Sequence, residues 1–379
     1  MKSRRIYYAI GLMSGSSLDG LDICYVEFSI DSSLTETHSD KETHERPLNV
    51  HYKIIHADCI EYTNDFRKNL KDAPTLSALE LAQLHTAVGS YMGTVTADFI
   101  GKNNITLLDF ICSHGQTIFH QPNAGFTTQI GCGAQIAAKT NHKVVCDIRT
   151  SDVAYGGQGA PLVPIAEQYL FPDYRIFLNL GGIANISFHQ QDKIIAYDVC
   201  AANTLLNYLA QQHSLTFDKD GDMAGKGTII RPLLEELNAI AFCRLPAPKS
   251  LGTEHVYSDW IALMEKYNAA TADKLATAVE HIAMQIGKEI ESKITGQIPN
   301  TSGTSILITG GGALNRFLIE RIRAHTTLTV TVPDKLTIEY KEALAMAFIG
   351  LWRVLEIPNC LSSVTGARKD ATGGAVYLP

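Results

Sequence analysis

One pattern limits what this chain can fold into more than any other, and it occurs twice: an apolar strand runs into a glycine-rich turn and returns as a second strand. Residues 7–13 are apolar, 14–20 carry turn chemistry, and 23–30 resume a strand around Cys24, Val26 and Phe28. Residues 176–180 meet Gly181-Gly182, return over 183–188, and lead to a third strand at 194–197 that ends before Asp198. The chain has 379 residues, too many for one core and about right for two or three of roughly 100–200 residues each. A structural repeat with little sequence identity follows, and with it two similar α/β lobes. The expected division is an N-terminal lobe over 1–150, completed by 345–379, and a C-terminal lobe over 151–344.

The remaining periodicity fills in both lobes. Leu76, Leu79, Leu84, Val88, Met92, Val95 and Phe99 predict a helix over 75–100, with Pro74 at its start. Leu275, Val279, Ile282, Ile286 and Ile290 line one face of a helix over 270–294, and a further helix covers 342–355. Short strands at 107–112, 143–146 and 305–309 each run into polar or glycine-rich residues. An apolar content of 45% excludes wholesale disorder. Lys and Arg total 32 against 39 Asp and Glu, with no basic block, so a nucleic-acid partner is not expected. Eight scattered cysteines without a C-x-x-C pair point to a reducing compartment. Lys2, Arg4 and Arg5 precede the apolar 6–13, but no small-residue cleavage site follows, so a first strand explains them better than a signal peptide. No apolar run nears the ~20 residues of a membrane span, and a cytoplasmic protein without a membrane partner is expected. The polar segment 31–47, with His38 and His44, reads as a solvated loop.

Three glycine-rich strand exits carry the chemistry. Gly15-Ser16-Ser17-Leu18-Asp19-Gly20-Leu21-Asp22 offers backbone N–H groups and hydroxyls to a polyphosphate, and Asp19 and Asp22 could hold magnesium through water. It lacks the lysine of a P-loop, and an ordinary Ser/Gly hairpin turn explains the same residues. Gly181, Gly182 and Asn185 form the second exit; Gly310, Gly311 and Gly312 form the third, between a strand and a helix. Three such turns favour an ATP site. Asp198 ends a strand, where a carboxylate serves either as a general base or as the N-cap of the helical 203–210. Ser113-His-Gly-Gln-Thr-Ile-Phe-His120 is no serine-nucleophile motif, because G-x-S-x-G is absent. Asp218-Lys-Asp-Gly-Asp222 opens like a calcium loop but lacks its late glutamate.

Together these stretches resemble the bacterial anhydro-N-acetylmuramic acid kinase family. The matching runs are 11–22, Ser113-His-Gly-Gln-Thr117, Asp152-Val-Ala-Tyr-Gly-Gly-Gln-Gly-Ala-Pro-Leu-Val-Pro164, Asn179-Leu-Gly-Gly-Ile-Ala-Asn185, Phe217-Asp-Lys-Asp-Gly221, Pro248-Lys-Ser250, Gly310-Gly-Gly312 and Thr365-Gly366, in order from end to end. The resemblance implies two ribonuclease-H-like lobes of the actin and hexokinase type, with ATP and substrate in a cleft between them. It implies water-dependent opening of 1,6-anhydro-N-acetylmuramate coupled to phosphorylation of O6, cell-wall recycling, ATP with Mg2+, and a homodimer. Asp198 matches the family's catalytic acid, and Thr117, Arg149 and Glu342 match its sugar-binding positions. Arg149 could pair with the lactyl carboxylate or form a salt bridge between the lobes. Rival readings are a paralogue for another anhydro-sugar and a non-catalytic actin-like or chaperone-like ATP-binding module. The chain departs from the family pattern in having Ser16 for Thr, in Val199-Cys-Ala-Ala-Asn203 after Asp198, in Asp222 and Lys226, and in the added segment 31–47.

Overall fold

The computed structural model describes residues 4–15, 18–31, 49–190, 194–247, 249–294 and 305–379. Its strands, in chain order, begin with β1 (Arg4–Ser14), β2 (Gly20–Asp31), β3 (Val50–Glu61), β4 (Phe110–Ser113), β5 (Gln116–Gln121), β6 (Phe126–Ile130) and β7 (Val144–Cys146). They continue with β8 (Ile176–Leu180), β9 (Ile183–His189), β10 (Ile194–Ala201), β11 (Ser305–Thr309), β12 (Thr329–Thr331) and β13 (Ala375–Tyr377). One sheet has the order β13-β7-β4-β1-β2-β3, another the order β10-β9-β8-β11-β12, and β5 pairs with β6 alone.

The two sheets are built to one plan. In the first, β1, β2 and β3 meander antiparallel, while β4 and then β7 add in parallel on the other side of β1. In the second, β8, β9 and β10 meander, and β11 and β12 add in parallel beside β8. Each therefore carries the order third, second, first, fourth, fifth. This is the repeat that the paired glycine turns predict, and it gives each unit the expected ribonuclease-H-like arrangement.

The chain divides into one unit of Met1–Pro172 with Tyr340–Pro379 and a second of Asp173–Glu339. Residues 151–172, expected in the second lobe, belong to the first because their polar groups are satisfied there. Asp152 accepts from the Thr365 hydroxyl at 2.7 Å, and buried Glu167 pairs with Lys341 at 2.9 Å. The return to the first unit comes at Tyr340, where the helix Lys335–Val354 leaves helical geometry (φ −116°, ψ 16°). The helix expected to start beside Pro74 starts instead at Ala78, because Ser77 and Glu80 close a capping box.

In the second unit the stripe Leu275, Val279, Ile282, Ile286 and Ile290 is buried with Leu178, Leu180, Ile186, Ile306 and Ile308 of the sheet. In the first, Ile10, Leu12, Leu21, Ile23 and Ile111 are buried with Val88, Met92 and Phe99 of the helix Ala78–Lys102. The helix Lys335–Val354 lies close to β1 and β4 because glycines face it: a Cβ on Gly11 would enter the Ala343 carbonyl, and one on Gly350 would stand 2.5 Å from that of Cys112. Among the described residues no helix is long and apolar enough to cross a membrane.

Candidate active site

In the first unit, the end of β1 is held by a buried hydroxyl relay. Ser14 donates to Gln116 Oε1 at 2.6 Å and stands 2.6 Å from the Tyr62 hydroxyl, which therefore donates to it. Leu18 takes a positive φ of 57°, and its N–H donates to the Gly15 carbonyl at 3.3 Å. The Asp19 carbonyl accepts from Tyr62 N and from the Arg67 guanidinium, and Gly20 presses against the Ile60 carbonyl, where a Cβ would stand 2.6 Å away. Leu21 is core, and Asp22 sits beside the Cys59 thiol, which burial and that carboxylate push up to about 12. Ser16 and Ser17 lie outside the described residues, as do Pro248 and most of 31–47. Asp19, just before β2, and Asp22, within it, are hard oxygen donors three residues apart, and no cluster of three ligating side chains occurs among the described residues. That donor set suits a Mg2+ held mainly by water and phosphate oxygens.

Three of the sequence motifs meet in this unit. Arg149 donates through Nε (3.0 Å) and Nη2 (2.8 Å) to His114 Nε2, and through Nη1 to the Gly159 carbonyl at 2.6 Å. His114 Nε2 is thus an acceptor, so Nδ1 carries the proton and donates to the Gly115 carbonyl. Burial first, and the Arg149 charge second, push this histidine down to about 3 and keep it neutral. Asp152 fastens the loop by accepting from Gly159 N at 2.7 Å with one oxygen and from Thr365 with the other. Of its five N–H donors, Arg149 leaves two uncommitted among the described residues. Burial lowers the Arg149 pKa, Cys360 and then Glu342 pull it partly back, and no carboxylate hydrogen-bonds Arg149 among the described residues. Thr117 accepts from Gln129 Nε2 at 3.3 Å, and its own hydroxyl proton has no acceptor among the described residues. His114, Asp152, Gln129 and Ser14 carry these positions without having been singled out as site residues; for Ser14, His114 and Asp152 the signal was their place inside the matched motifs, whereas Gln129 lies outside every one of them.

In the second unit, the loops at the carboxyl ends of the parallel strands β8 and β11 come together. Asn203 donates to the Leu180 carbonyl at 2.9 Å, and the Gly181 and Gly182 carbonyls accept from the first amides of the helix Asn203–Gln211. Gly310 has a positive φ of 81°, and a Cβ there would lie 2.6 Å from Asn179 Oδ1. A Cβ on Gly312 would lie 2.7 Å from that of Leu180 and 3.0 Å from Asn203 Oδ1. Gly181, Gly182, Gly310, Gly311 and Gly312 thus come together at the sheet end where open α/β sheets bind ligands. The atypical Val199-Cys-Ala-Ala202 is buried core, and Asn203, which follows it, bonds the Leu180 and Gly181 carbonyls.

Asp198 does not cap that helix, whose N-cap is Ala202. Its Oδ2 accepts from Leu251 N at 2.8 Å and Ser250 Oγ at 3.3 Å, while its own N–H donates to the Lys249 carbonyl. Oδ1 has no donor among the described residues. Burial raises the carboxyl pKa, and the two donors pull it back. The loop that supplies them is anchored by Lys249, whose buried ammonium pairs with Glu289 at 3.1 Å and lies over the Phe242 ring. An aspartate with one oxygen fixed and the other bare is oriented to take a proton.

The family model described as Anhydro-N-acetylmuramic acid kinase matches residues 7–379. The chain belongs to the anhydro-N-acetylmuramic acid kinase family. A relative so named from Vibrio vulnificus (strain CMCP6) is 33% identical over 100% of this chain and 99% of its own length. One from Aliivibrio fischeri (strain ATCC 700601 / ES114) is 35% identical over 97% and 98%. Among solved structures, the activator of the 2-hydroxyisocaproyl-CoA dehydratase from Clostridium difficile with bound ADPNP is similar over 92% of this chain and 96% of that one, at 12% identity and a TM-score of 0.44. This member of the anhydro-N-acetylmuramic acid kinase family is a kinase, and hence a transferase.

Proposed function

We propose that the chain uses ATP to convert 1,6-anhydro-N-acetylmuramate and water into N-acetylmuramate 6-phosphate and ADP, in peptidoglycan recycling. The reading has it working in the cytoplasm as a homodimer, with a small sugar and no nucleic acid or membrane as its partner. The name shared by its relatives supports the substrate, and Asp198, with Oδ1 bare and Oδ2 fixed, carries the mechanism.

The anhydro bridge joins C1 to O6 of one sugar. Hydrolysis alone would expel an O6 alkoxide, a poor leaving group, and phosphorylation alone fails because an ether oxygen has no proton to lose. Coupling removes both obstacles. Water attacks C1 as the C1–O6 bond breaks, O6 bonds to the γ-phosphorus, and the bond from that phosphorus to the ADP oxygen breaks. Asp198 takes the proton of the attacking water and later releases it to solvent. Attack on the face opposite O6 inverts C1. Thr117 and Glu342 hold the sugar in this reading, and the two free N–H groups of Arg149 take its lactyl carboxylate. The turn from Gly15 to Asp22, together with Gly181, Gly182 and Gly310 to Gly312, holds the phosphates. Magnesium on Asp19 and Asp22 would neutralise developing phosphate charge.

The test is Asp198→Asn, which preserves shape and removes the base. It is expected to lower kcat by about 10²–10⁴ and leave the ADP dissociation constant unchanged. Near-normal turnover would overturn the assignment.

A further inference from the structure

Asn185 stands directly across the β9–β10 ladder from Asp198, and Asn179 stands across the β8–β9 ladder from Asn185. The row continues to Thr309, paired with Asn179 across β8 and β11. Residues in register on adjacent strands point to the same face, with Cβ atoms about 4.5–5.5 Å apart. One face of this sheet end therefore carries hydroxyl, amide, amide and carboxylate in sequence. Neither asparagine side chain has a hydrogen-bond partner among the described residues. Thr309, 1% exposed, has a hydroxyl without a partner too. Buried and half-buried polar groups are ordinarily satisfied by protein or by ordered water, so the two half-buried asparagines, uncommitted among the described residues, can bond something else, while Thr309 closes the buried end of the row.

We propose that Asn185 is a second catalytic residue, holding the attacking water together with Asp198. The inference rests on the reading of Asp198 as the base. Asp198 Oδ2 is saturated by Ser250 and Leu251, so its proton-accepting oxygen is Oδ1. A water on Oδ1 has a second hydrogen to place, and the carboxamide oxygen of the cross-strand neighbour lies within its reach. Asn185 and Asp198 are adjacent yet not hydrogen-bonded to each other, a separation that one bridging water spans. With one hydrogen on each side chain, the water keeps a lone pair for C1. It passes the first proton to Asp198, and Asn185 keeps the oxygen from rotating away. This differs from the nucleotide role that the glycine-rich exit suggests for Asn185, and the two roles predict different kinetics.

The experiment is steady-state kinetics with ATP and 1,6-anhydro-N-acetylmuramate on wild type, Asn185→Ala, Asn185→Ser, Asp198→Asn and the double variant Asn185→Ala/Asp198→Asn, with ADP affinity measured for each. Asn185→Ala is expected to lose about 10–10³ in kcat with ADP affinity and the KM for ATP within twofold of wild type. Asn185→Ser, which keeps an oxygen, is expected to recover part of that loss. The double variant is expected to be no slower than Asp198→Asn alone, because both residues act on one water. A normal kcat in Asn185→Ala, a raised KM for ATP at unchanged kcat, or additive losses in the double variant would each overturn the proposal. A wild type that leaves the anhydro-sugar untouched would instead overturn the underlying function.

Discussion

Ser250 and Leu251 donate to the same oxygen of Asp198, and this fixes the direction of a pH effect. A donor favours the charged carboxylate, so removing one raises the pKa. The base works only when deprotonated, so Ser250→Ala should move the acid limb of kcat/KM to higher pH and cost more activity at pH 5 than at pH 8. A uniform loss with an unmoved acid limb would mean that Ser250 only shapes the loop. Arg149 makes a companion case. With three of its nitrogens committed to His114 and Gly159, lysine cannot replace it, and Arg149→Lys should erase the preference for anhydro-muramate over the lactyl-free anhydro-glucosamine. Unchanged discrimination would count against the carboxylate role. Asp198 was singled out in the sequence because it ends a strand after a glycine turn and matches the family's catalytic Asp; position alone also allowed a helix cap, which the structure gives to Ala202 instead. The residues that orient Asp198 were not legible, because Ser250 and Leu251 lie 52 and 53 positions away and no local pattern marks a tertiary hydrogen bond. Asn185 was visible as part of a glycine-rich exit, but its pairing with Asp198 needs the register of two strands.

Glycines at the element ends fall into two physical kinds. Gly11 admits a helix: its Cβ would enter the Ala343 carbonyl, and backbone cannot yield as a side-chain tip can. Gly11→Ala should therefore lower stability by about 1–3 kcal/mol or more, read as a lower melting temperature, with the KM for ATP of the folded fraction unchanged. Gly312 packs against Leu180 and Asn203 at the end of the second sheet, so Gly312→Ala should displace that glycine turn and weaken ADP binding as well. Equal nucleotide affinity in the two variants would argue against a phosphate role for the 310–312 turn. The strands and long helices were legible from periodicity, and the helix Thr271–Ile294 matches its apolar stripe almost to the residue. The start of the helix Ala78–Lys102 was misplaced by three residues because Pro74 competes with the Ser77-x-x-Glu80 signature, and the capping box wins by satisfying two amides. The hairpin of β5 and β6 was unread: its strands are five or six residues long, largely polar, and paired only with each other.

At the scale of the whole molecule, each unit contains a buried histidine whose pKa is pushed well below its ordinary value. His114 in the first and His281 in the second, which accepts from Trp260 Nε1 and donates to Asn238, are both pushed down to about 3, chiefly by burial. The unfolded chain protonates histidine near pH 6.5, so below that value it binds more protons than the folded one. Stability is fully present above pH 6.5 and should fall as pH drops towards 3, by about 1.4 kcal/mol per unit for each histidine. Denaturant midpoints that stay level between pH 7 and pH 5 would contradict this. The doubled topology was readable because both glycine turns recur at the same place in the strand order. The point where the chain changes units was not, since Glu167 finds Lys341 174 residues away. The coupled reaction is tested most directly by incubating the enzyme with ATP and 1,6-anhydro-N-acetylmuramate in ¹⁸O-labelled water and analysing the product by mass and NMR. The account predicts one ADP per sugar, one ¹⁸O at C1, inversion at C1, and an unlabelled O6 bearing the phosphoryl group. ADP formed without sugar conversion, or a 6-phosphate with no label at C1, would contradict it.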